Sequence, residues 1–332
     1  MAERARLMGN VREIGLAAMR NAPHERNAAV PRFHDFPVLS PSGFVRLAYV
    51  EWGPEDAEQI VVCVHGLSRT GRDFDMLAQC LAAQNVRVVA PDLSGRGRSQ
   101  WLDSAEDYET EFYLSSLAAL IARIGAQEID LVGSSLGGFL GMHLAAKPGT
   151  PIRRFVLNDF GARVSGIALQ RIGAYVRVER RFNSLADAEA HLRQIHAPFG
   201  PLTDEQWAHI VEHSVIMTDD GKCRLHYDPR IAHHISWPIL LDVVLWDVWE
   251  KVDCPVLLLR GAQSDLFRPS TAKEMMERGQ AAAHGLLKFV EFPDCGHAPS
   301  LIMESHMAPV LDFLLSDKVD TGTTDDDLEA IG

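Results

Sequence analysis

The sequence has the length and composition of an ordinary globular protein. It contains 332 residues, of which 47% are hydrophobic, 23% charged and 8% aromatic, and these values exclude collagen-like, coiled-coil and intrinsically disordered proteins. The formal net charge of −13 repels phosphate backbones and anionic lipid headgroups, so we expect neither nucleic acid nor a membrane as a partner. The five cysteines form no CxxC pair, which argues against a disulfide framework or a zinc ribbon and favours a reducing compartment.

The first thirty residues do not have the pattern of a signal peptide. Residues 1–30 mix Arg and Glu and lack a continuous apolar core. Apolar residues recur there at helical spacing, which predicts an amphipathic helix that docks on the body of the protein. No apolar run in the chain reaches transmembrane length. We therefore expect a cytoplasmic protein.

From residue 33 onward, buried strands alternate with helices. Apolar, β-branched or alternating runs predict strands at residues 45–52, 60–64, 86–90, 129–132, 155–157, 255–259 and 287–292. Helical periodicity occupies most of the intervals between these strands. The alternation predicts an α/β fold with a mostly parallel, doubly wound sheet that is covered by helices on both faces.

The alternation is interrupted over residues 161–251, where helical stretches replace the buried strands. These stretches lie at residues 185–195, 203–217 and 239–249. We expect residues 161–251 to form a helical cap that is inserted into an α/β core made of residues 31–160 and 252–316. Residues 317–332 are acidic and poor in large apolar side chains, which predicts a disordered tail.

A candidate nucleophile follows the predicted strand at residues 129–132. Residues 133–137 read G-S-S-L-G and match G-x-S-x-G, in which a sharp strand-to-helix turn exposes a serine hydroxyl above the sheet. Glycines suit this turn because it brings the backbone close to a neighbouring strand. The alternative is a glycine-rich turn without chemistry, and the partners of Ser135 decide between the two.

A serine hydroxyl is a weak nucleophile and needs a base that is itself oriented by an acid. Asp265 and His297 each follow one of the last two predicted strands, at the edge of the sheet where catalytic groups of open α/β proteins collect. The chain order Ser135, Asp265, His297 is the order expected of nucleophile-elbow enzymes. Asp159 follows the strand after the serine motif, and it remains a rival for the orienting acid.

Taken together, these motifs resemble the α/β-hydrolase superfamily, in particular its serine carboxylesterase-like branch with a helical cap. The matching segments are H-G-L at 65–67, D-L-S-G-R-G-R-S at 92–99, G-S-S-L-G at 133–137, G-A-Q-S-D at 261–265 and G-H at 296–297. The resemblance implies Ser135 as nucleophile, His297 as base and Asp265 as orienting acid. It also implies that the backbone amides of Leu67 and Leu136 form the oxyanion hole, and that no cofactor is required.

The resemblance implies a hydrolase that cleaves carboxylic esters of small to medium apolar acyl groups through an acyl-enzyme, with hydroxyacid oligoesters as an extension. A small-molecule ester is then the expected partner, and the sequence leaves the oligomeric state open. Serine rather than aspartate at position 135 argues against the haloalkane dehalogenase and epoxide hydrolase branches. Two alternatives remain. The same triad could cleave a C–C bond of a ring-fission product or open a lactone, and the fold could serve as a binding module.

A second motif suggests a metal site. His209, Glu212 and His213 match H-x-x-E-H, an inverted form of a zinc-enzyme pattern. A zinc site needs at least one further protein ligand, and no such ligand is evident on a following helix. We therefore expect this segment to be a solvated face of a cap helix and no metal to bind there.

Overall fold

The structure is a computed structural model and describes residues 30–235 and 241–316. Its strands are β1 (Arg32–Ser40), β2 (Gly43–Trp52), β3 (Ile60–Val64), β4 (Arg87–Asp92), β5 (Ile129–Ser134), β6 (Ile152–Asn158), β7 (Arg163–Val164), β8 (Arg181–Phe182), β9 (Val215–Met217), β10 (Cys223–Leu225), β11 (Val243–Val244), β12 (Val256–Gly261) and β13 (Leu287–Phe292). Its α-helices are α1 (Asp75–Ala82), α2 (Thr110–Arg123), α3 (Leu136–Ala145), α4 (Gly166–Val176), α5 (Leu185–Ile195), α6 (Asp204–Ser214), α7 (Trp246–Trp249), α8 (Pro269–Glu277), α9 (Gln280–Ala283) and α10 (Glu304–Leu314). The predicted N-terminal helix and acidic tail lie outside the described residues.

A central sheet confirms the predicted α/β architecture. Its strand order is β1-β2-β4-β3-β5-β6-β12-β13. All neighbours from β4 to β13 run parallel, whereas β2 is antiparallel to both β1 and β4. The sequence did not predict β1, which lies at the edge of the sheet and contains Pro37. Proline is tolerated in edge strands because one side of such a strand needs no hydrogen-bonded partner.

Both faces of this sheet are buried. Phe155 and Leu157 of β6 belong to the apolar cluster that includes residues of α2 and α3, whereas Val156 belongs to the cluster that includes residues of α1 and α10. Successive side chains of a strand point to opposite faces, so a strand with helices on both sides needs a continuous apolar run. Full burial of each such side chain stabilises the fold by about 1.5–3 kcal/mol.

The inserted segment between β6 and β12 contains α4 to α7 and also five short strands among its described residues. These strands pair as β8-β10-β9 and as β11-β7. The prediction of a purely helical insertion is therefore incomplete. Strands of two or three residues are too short to produce a recognisable alternation in the sequence. Because β9 is one of these short strands, the sequence analysis extended the preceding helix over residues 203–217, whereas the helix ends at Ser214 and the chain continues as β9.

The helices of the described residues are short compared with a lipid bilayer. The longest, α2, has 14 residues, whereas a membrane-spanning helix needs about 20. None of the helices in residues 30–235 and 241–316 is both long and apolar enough to cross a membrane.

Candidate active site

Ser135 lies in the sharp turn between β5 and α3. Its φ of 51° and ψ of −112° place it in a region that residues other than glycine rarely occupy. Its amide donates a hydrogen bond to the carbonyl oxygen of Asn158 at 2.9 Å, and its own carbonyl accepts one from the Phe139 amide at 2.9 Å. These bonds to β6 and α3 hold the strained turn, which presents the side chain at the carboxyl edge of the sheet.

The glycines of the motif are required by close backbone contacts. A Cβ atom on Gly137 would lie 1.9 Å from the carbonyl oxygen of Val64, and one on Gly133 would lie 2.4 Å from the carbonyl oxygen of Gly137. Both distances are far inside van der Waals contact. The turn after β5 therefore accepts no side chain at either position, as the sequence argument expects.

His297 connects the serine to a carboxylate. Its Nε2 lies 2.8 Å from the Ser135 hydroxyl oxygen, and its Nδ1 lies 2.7 Å from Oδ2 of Asp159. With the proton on Nδ1, the imidazole donates to the carboxylate and can accept the serine proton on Nε2. The Asp159 side chain is fully buried and that of His297 is 12% exposed, so the two groups interact largely shielded from water.

The carboxylate beside His297 is Asp159, and the expectation that Asp265 orients the base is wrong. Both oxygens of Asp265 instead accept hydrogen bonds from the guanidinium group of Arg171, at 2.9 to 3.1 Å. About half of the Asp265 side chain is exposed. Because β6 and β12 are adjacent and parallel, both aspartates leave the sheet at the same edge, and chain order alone does not distinguish them.

Two residues that precede Asp265 in the chain contribute to the triad in its place. The Ser264 hydroxyl donates to Asp159 Oδ2 at 2.6 Å, and the Gly261 amide donates to Asp159 Oδ1 at 2.9 Å. Three donors therefore surround the buried carboxylate when His297 is included, which satisfies the requirement that a buried charge be hydrogen-bonded. The sequence analysis did not identify Ser264, although Ser264 directly precedes Asp265, the aspartate that it assigned to the triad.

The backbone amides of Leu67 and Leu136 remain candidates for the oxyanion hole. Both residues line a cavity together with Ser135, and within the described residues neither amide donates to a protein acceptor. The Leu67 carbonyl accepts a hydrogen bond of 2.7 Å from Nε of Arg96, a side chain that is fully buried. Arg96 thereby fixes the orientation of the loop that contains Leu67, a role the sequence analysis did not identify within residues 92–99.

His65 is a structural residue of the same loop. One ring nitrogen, Nδ1, lies 2.7 Å from the Gly66 carbonyl and donates to it, while Nε2 accepts from the Leu93 amide at 2.9 Å. Burial is the main cause that lowers the pKa of His65 to about 3. Since both ring nitrogens are engaged and the ring is neutral, His65 cannot act as the base.

Two cavities open beside Ser135 in the described part of the chain. One has a volume of about 480 Å³ and is predominantly apolar. Its lining includes Leu136, Phe139, Phe160, Val164, Leu169 and Leu266. The other has a volume of about 80 Å³ and is more polar. Its lining includes Arg69, Asp73, Arg171, Tyr175, His196 and His297. An ester bound at Ser135 can therefore extend to both sides, into an apolar cavity on one side and a polar one on the other.

The aromatic residues of the inserted segment have different surroundings. Phe199 lines the polar cavity. Trp246 and Trp249 are buried in the apolar cluster that includes residues of α2 and α3. Trp207 is buried in a separate, small apolar cluster. Trp237 lies outside the described residues. Of Phe199, Trp207, Trp246 and Trp249, Phe199 is thus the one that lines a cavity beside Ser135, and Tyr175 of α4 lines the same polar cavity.

Comparison with known proteins agrees with this geometry. The profile of the alpha/beta hydrolase family matches residues 61–313. The chain is 41% identical over 289 residues to the 3-hydroxybutyrate-oligomer hydrolase of Cupriavidus necator, a match that covers 85% of this chain and 97% of that protein.

Solved structures resemble the whole described body. A putative hydrolase from Rickettsia typhi superposes with a TM-score of 0.78 at 29% identity, covering 86% of this chain and 99% of that one. An alpha/beta hydrolase from Novosphingobium aromaticivorans superposes with a TM-score of 0.74 at 32% identity, covering 85% of this chain and 98% of that one. The chain belongs to the alpha/beta hydrolase family, and within it is an ester hydrolase.

Proposed function

We propose that this protein hydrolyses the ester bonds of 3-hydroxybutyrate oligomers, with Ser135, His297 and Asp159 as its catalytic triad. The observation that carries the proposal is the 41% identity to a 3-hydroxybutyrate-oligomer hydrolase across 97% of that protein. The hydrogen-bonded chain from Ser135 through His297 to Asp159 supports the assignment of the triad.

The first half of the reaction forms an acyl-enzyme. The Ser135 oxygen attacks the ester carbonyl carbon while Nε2 of His297 takes the hydroxyl proton. Asp159 keeps the other imidazole proton on Nδ1 and stabilises the imidazolium that results. The Leu67 and Leu136 amides donate to the negatively charged oxygen of the tetrahedral intermediate, and each such donor contributes about 2.7–4 kcal/mol in a comparable site.

Departure of the alcohol completes the acyl-enzyme, and hydrolysis of the acyl-enzyme then releases the acid. His297 returns its proton to the departing oxygen, so the downstream oligomer leaves as an alcohol with a free 3-hydroxyl group. A water molecule then gives a proton to Nε2 of His297 and attacks the acyl carbon. The bond between the acyl carbon and the Ser135 oxygen breaks, and His297 returns the proton to that oxygen, which restores Ser135. One water is consumed for each ester bond, and the products are a carboxylic acid and an alcohol.

The cavities beside Ser135 suit an oligomer with units on both sides of the scissile bond. The apolar cavity of about 480 Å³ can accept the methyl-bearing chain of several hydroxybutyrate units. Arg171 lines the smaller cavity and is already held by a carboxylate, that of Asp265. A guanidinium in this position suits the terminal carboxylate of an oligomer.

The test uses the 3-hydroxybutyrate dimer and trimer as substrates, with release of monomer measured by chromatography. We expect hydrolysis by the wild-type protein and its loss in Ser135→Ala, with the matched variant Ser134→Ala retaining most of it. A serine-directed phosphonate should label Ser135 and leave Ser134 unlabelled. Hydrolysis of p-nitrophenyl butyrate without hydrolysis of either oligomer would refute the proposed substrate, and labelling of Ser134 would refute the nucleophile.

A further inference from the structure

The H-x-x-E-H motif acquires a third candidate ligand once the chain is folded. His209 and His213 lie one turn apart on α6, and Asp75 is the first residue of α1. One potential ligand atom from each of these three residues lies within 4.8 Å of the other two. The separation of Asp75 Oδ2 from His209 Nε2 is 3.8 Å, and the two imidazole rings are 4.6 Å apart. The expectation of no metal rested on the lack of such a ligand.

The three groups are shielded and chemically suited to a cation. The side chain of Asp75 is 4% exposed and that of His209 is 17% exposed. His213 is a half-buried residue. No described residue forms a hydrogen bond with the His213 ring. A half-buried imidazole that has no hydrogen-bond partner and lies beside a carboxylate and a second imidazole is a typical metal-binding arrangement.

We propose that Asp75, His209 and His213 bind one divalent transition-metal ion, with Zn²⁺ as the best match, and that this ion fastens α6 of the inserted segment to α1 of the core. Two imidazole nitrogens and one carboxylate oxygen form a donor set that zinc accepts, at bond lengths of about 2.0–2.2 Å. The fourth position belongs to water. Because a tetrahedral ion holds its ligands roughly 3.3 Å apart, small rotations of the side chains close the site around it.

Of the hydrogen bonds now present at these groups, one from Arg72 to Asp75 can persist when the ion binds, and the one from His209 to the Arg72 carbonyl breaks. Nε and Nη2 of Arg72 donate to the two carboxylate oxygens of Asp75, and the Arg72 carbonyl accepts from Nε2 of His209 at 2.9 Å. When Oδ2 of Asp75 binds the ion, Oδ1 can keep its 2.8 Å hydrogen bond to Arg72, which then orients the ligand. His209 binds the ion through Nε2 after its proton moves to Nδ1. The charge of the imidazole is then unchanged, and the bond to the ion replaces the hydrogen bond to the Arg72 carbonyl.

The site is structural rather than catalytic. Glu212, the residue that would act as a base in an H-x-x-E-H enzyme, is exposed and lies outside the cluster. The site does border the polar cavity. Asp73 and Phe74, which precede Asp75, line that cavity, and Ser214, which follows His213, accepts a hydrogen bond of 2.9 Å from Arg69. An ion here therefore secures the wall of the cavity without touching the triad.

The test is zinc binding by the chelator-treated full-length protein, measured by isothermal titration calorimetry and by the shift in Tm. We expect one Zn²⁺ per chain and a rise in Tm for the wild-type protein and for His284→Gln, a control that removes an exposed histidine far from this cluster in sequence. In His213→Gln we expect zinc affinity at least tenfold weaker and little rise in Tm. The Tm of the metal-free variant verifies that it is folded, and Asp75→Asn provides a second variant if it is not.

Two results would rule out zinc binding at this cluster, and a third would contradict its structural role. Zinc affinity in His213→Gln and Asp75→Asn equal to that of the wild-type protein would place the binding elsewhere, and a wild-type protein that binds no Zn²⁺ would remove the site. Ester turnover separates this role from a catalytic one. The metal-free protein should retain most of its activity, and complete loss on chelation would contradict a structural ion.

Discussion

Ser135, His297 and Asp159 owe their arrangement to contacts that only partly appear in the sequence. Ser135 and His297 follow strands and belong to recognisable motifs, so sequence reasoning identifies both. Asp159 and Asp265 have the same type of position, each beyond the end of a parallel strand. They differ in their partners, since Ser264 and Gly261 donate to Asp159 whereas Arg171 holds Asp265. Contacts between residues so distant in the chain cannot be deduced from the spacing of motifs.

The two aspartates give opposite predictions for isosteric substitution. Asp159→Asn should lower kcat by about 10⁴, because an amide in place of the carboxylate favours the wrong imidazole tautomer. Asp265→Asn should change kcat less than tenfold, since it disrupts an exposed ion pair worth about 0.2–1 kcal/mol. Both variants are compared with the wild-type protein on one p-nitrophenyl ester. A greater loss of kcat in Asp265→Asn than in Asp159→Asn would mean that the acid has been wrongly assigned.

Among the structural elements, long and strongly patterned ones are predictable and short ones are not. The strands β3 and β13 and the helix α5 have the bounds that the sequence analysis expects. β3 buries a nearly continuous apolar run, and α5 buries Ala188 and Leu192 one turn apart. The short strands β7 to β11 have two or three residues each. Their pairing depends on tertiary contacts between distant segments, so local periodicity gives no indication of them.

The turn between β5 and α3 leads to a prediction about stability. Alanine normally stabilises a helix relative to glycine by about 0.5–1 kcal/mol. Gly137→Ala should nevertheless lower the free energy of unfolding by about 3 kcal/mol or more. The reason is that the new Cβ would lie 1.9 Å from the Val64 carbonyl oxygen. The control is Gly149→Ala. A Cβ atom at position 149 would have no atom within 4 Å apart from its chain neighbours, and φ there is +71°. Its cost should be limited to about 1–2 kcal/mol of backbone strain. Urea denaturation measures both values, and a Gly137→Ala protein as stable as the wild type would contradict the packing argument.

At the scale of the whole molecule, the inserted segment and the core jointly form the substrate site. The triad and the amides of Leu67 and Leu136 come from the core, whereas Arg171 and Phe199 come from the insertion and line the polar cavity. The α/β fold could therefore be predicted from strand patterns, but the shape and charge of the cavities could not. Both depend on where the insertion lies over the edge of the sheet.

The charge of the polar cavity can be tested with substrates that differ only at the carboxyl end. If Arg171 binds the terminal carboxylate, Arg171→Gln should raise KM for the 3-hydroxybutyrate dimer acid about tenfold. A hydrogen bond to a charged group contributes about 1.5–3 kcal/mol, and partial exposure favours the lower end of that range. The methyl ester of the same dimer carries no charge at this position, so its KM should change little, and kcat should be nearly unchanged for both substrates. Initial rates on the two substrates, measured for the wild-type protein and the variant, give the comparison.

An equal rise in KM for the dimer acid and its methyl ester would mean that Arg171 shapes the cavity without recognising the carboxylate. An unchanged KM for the acid would mean that the carboxylate binds elsewhere.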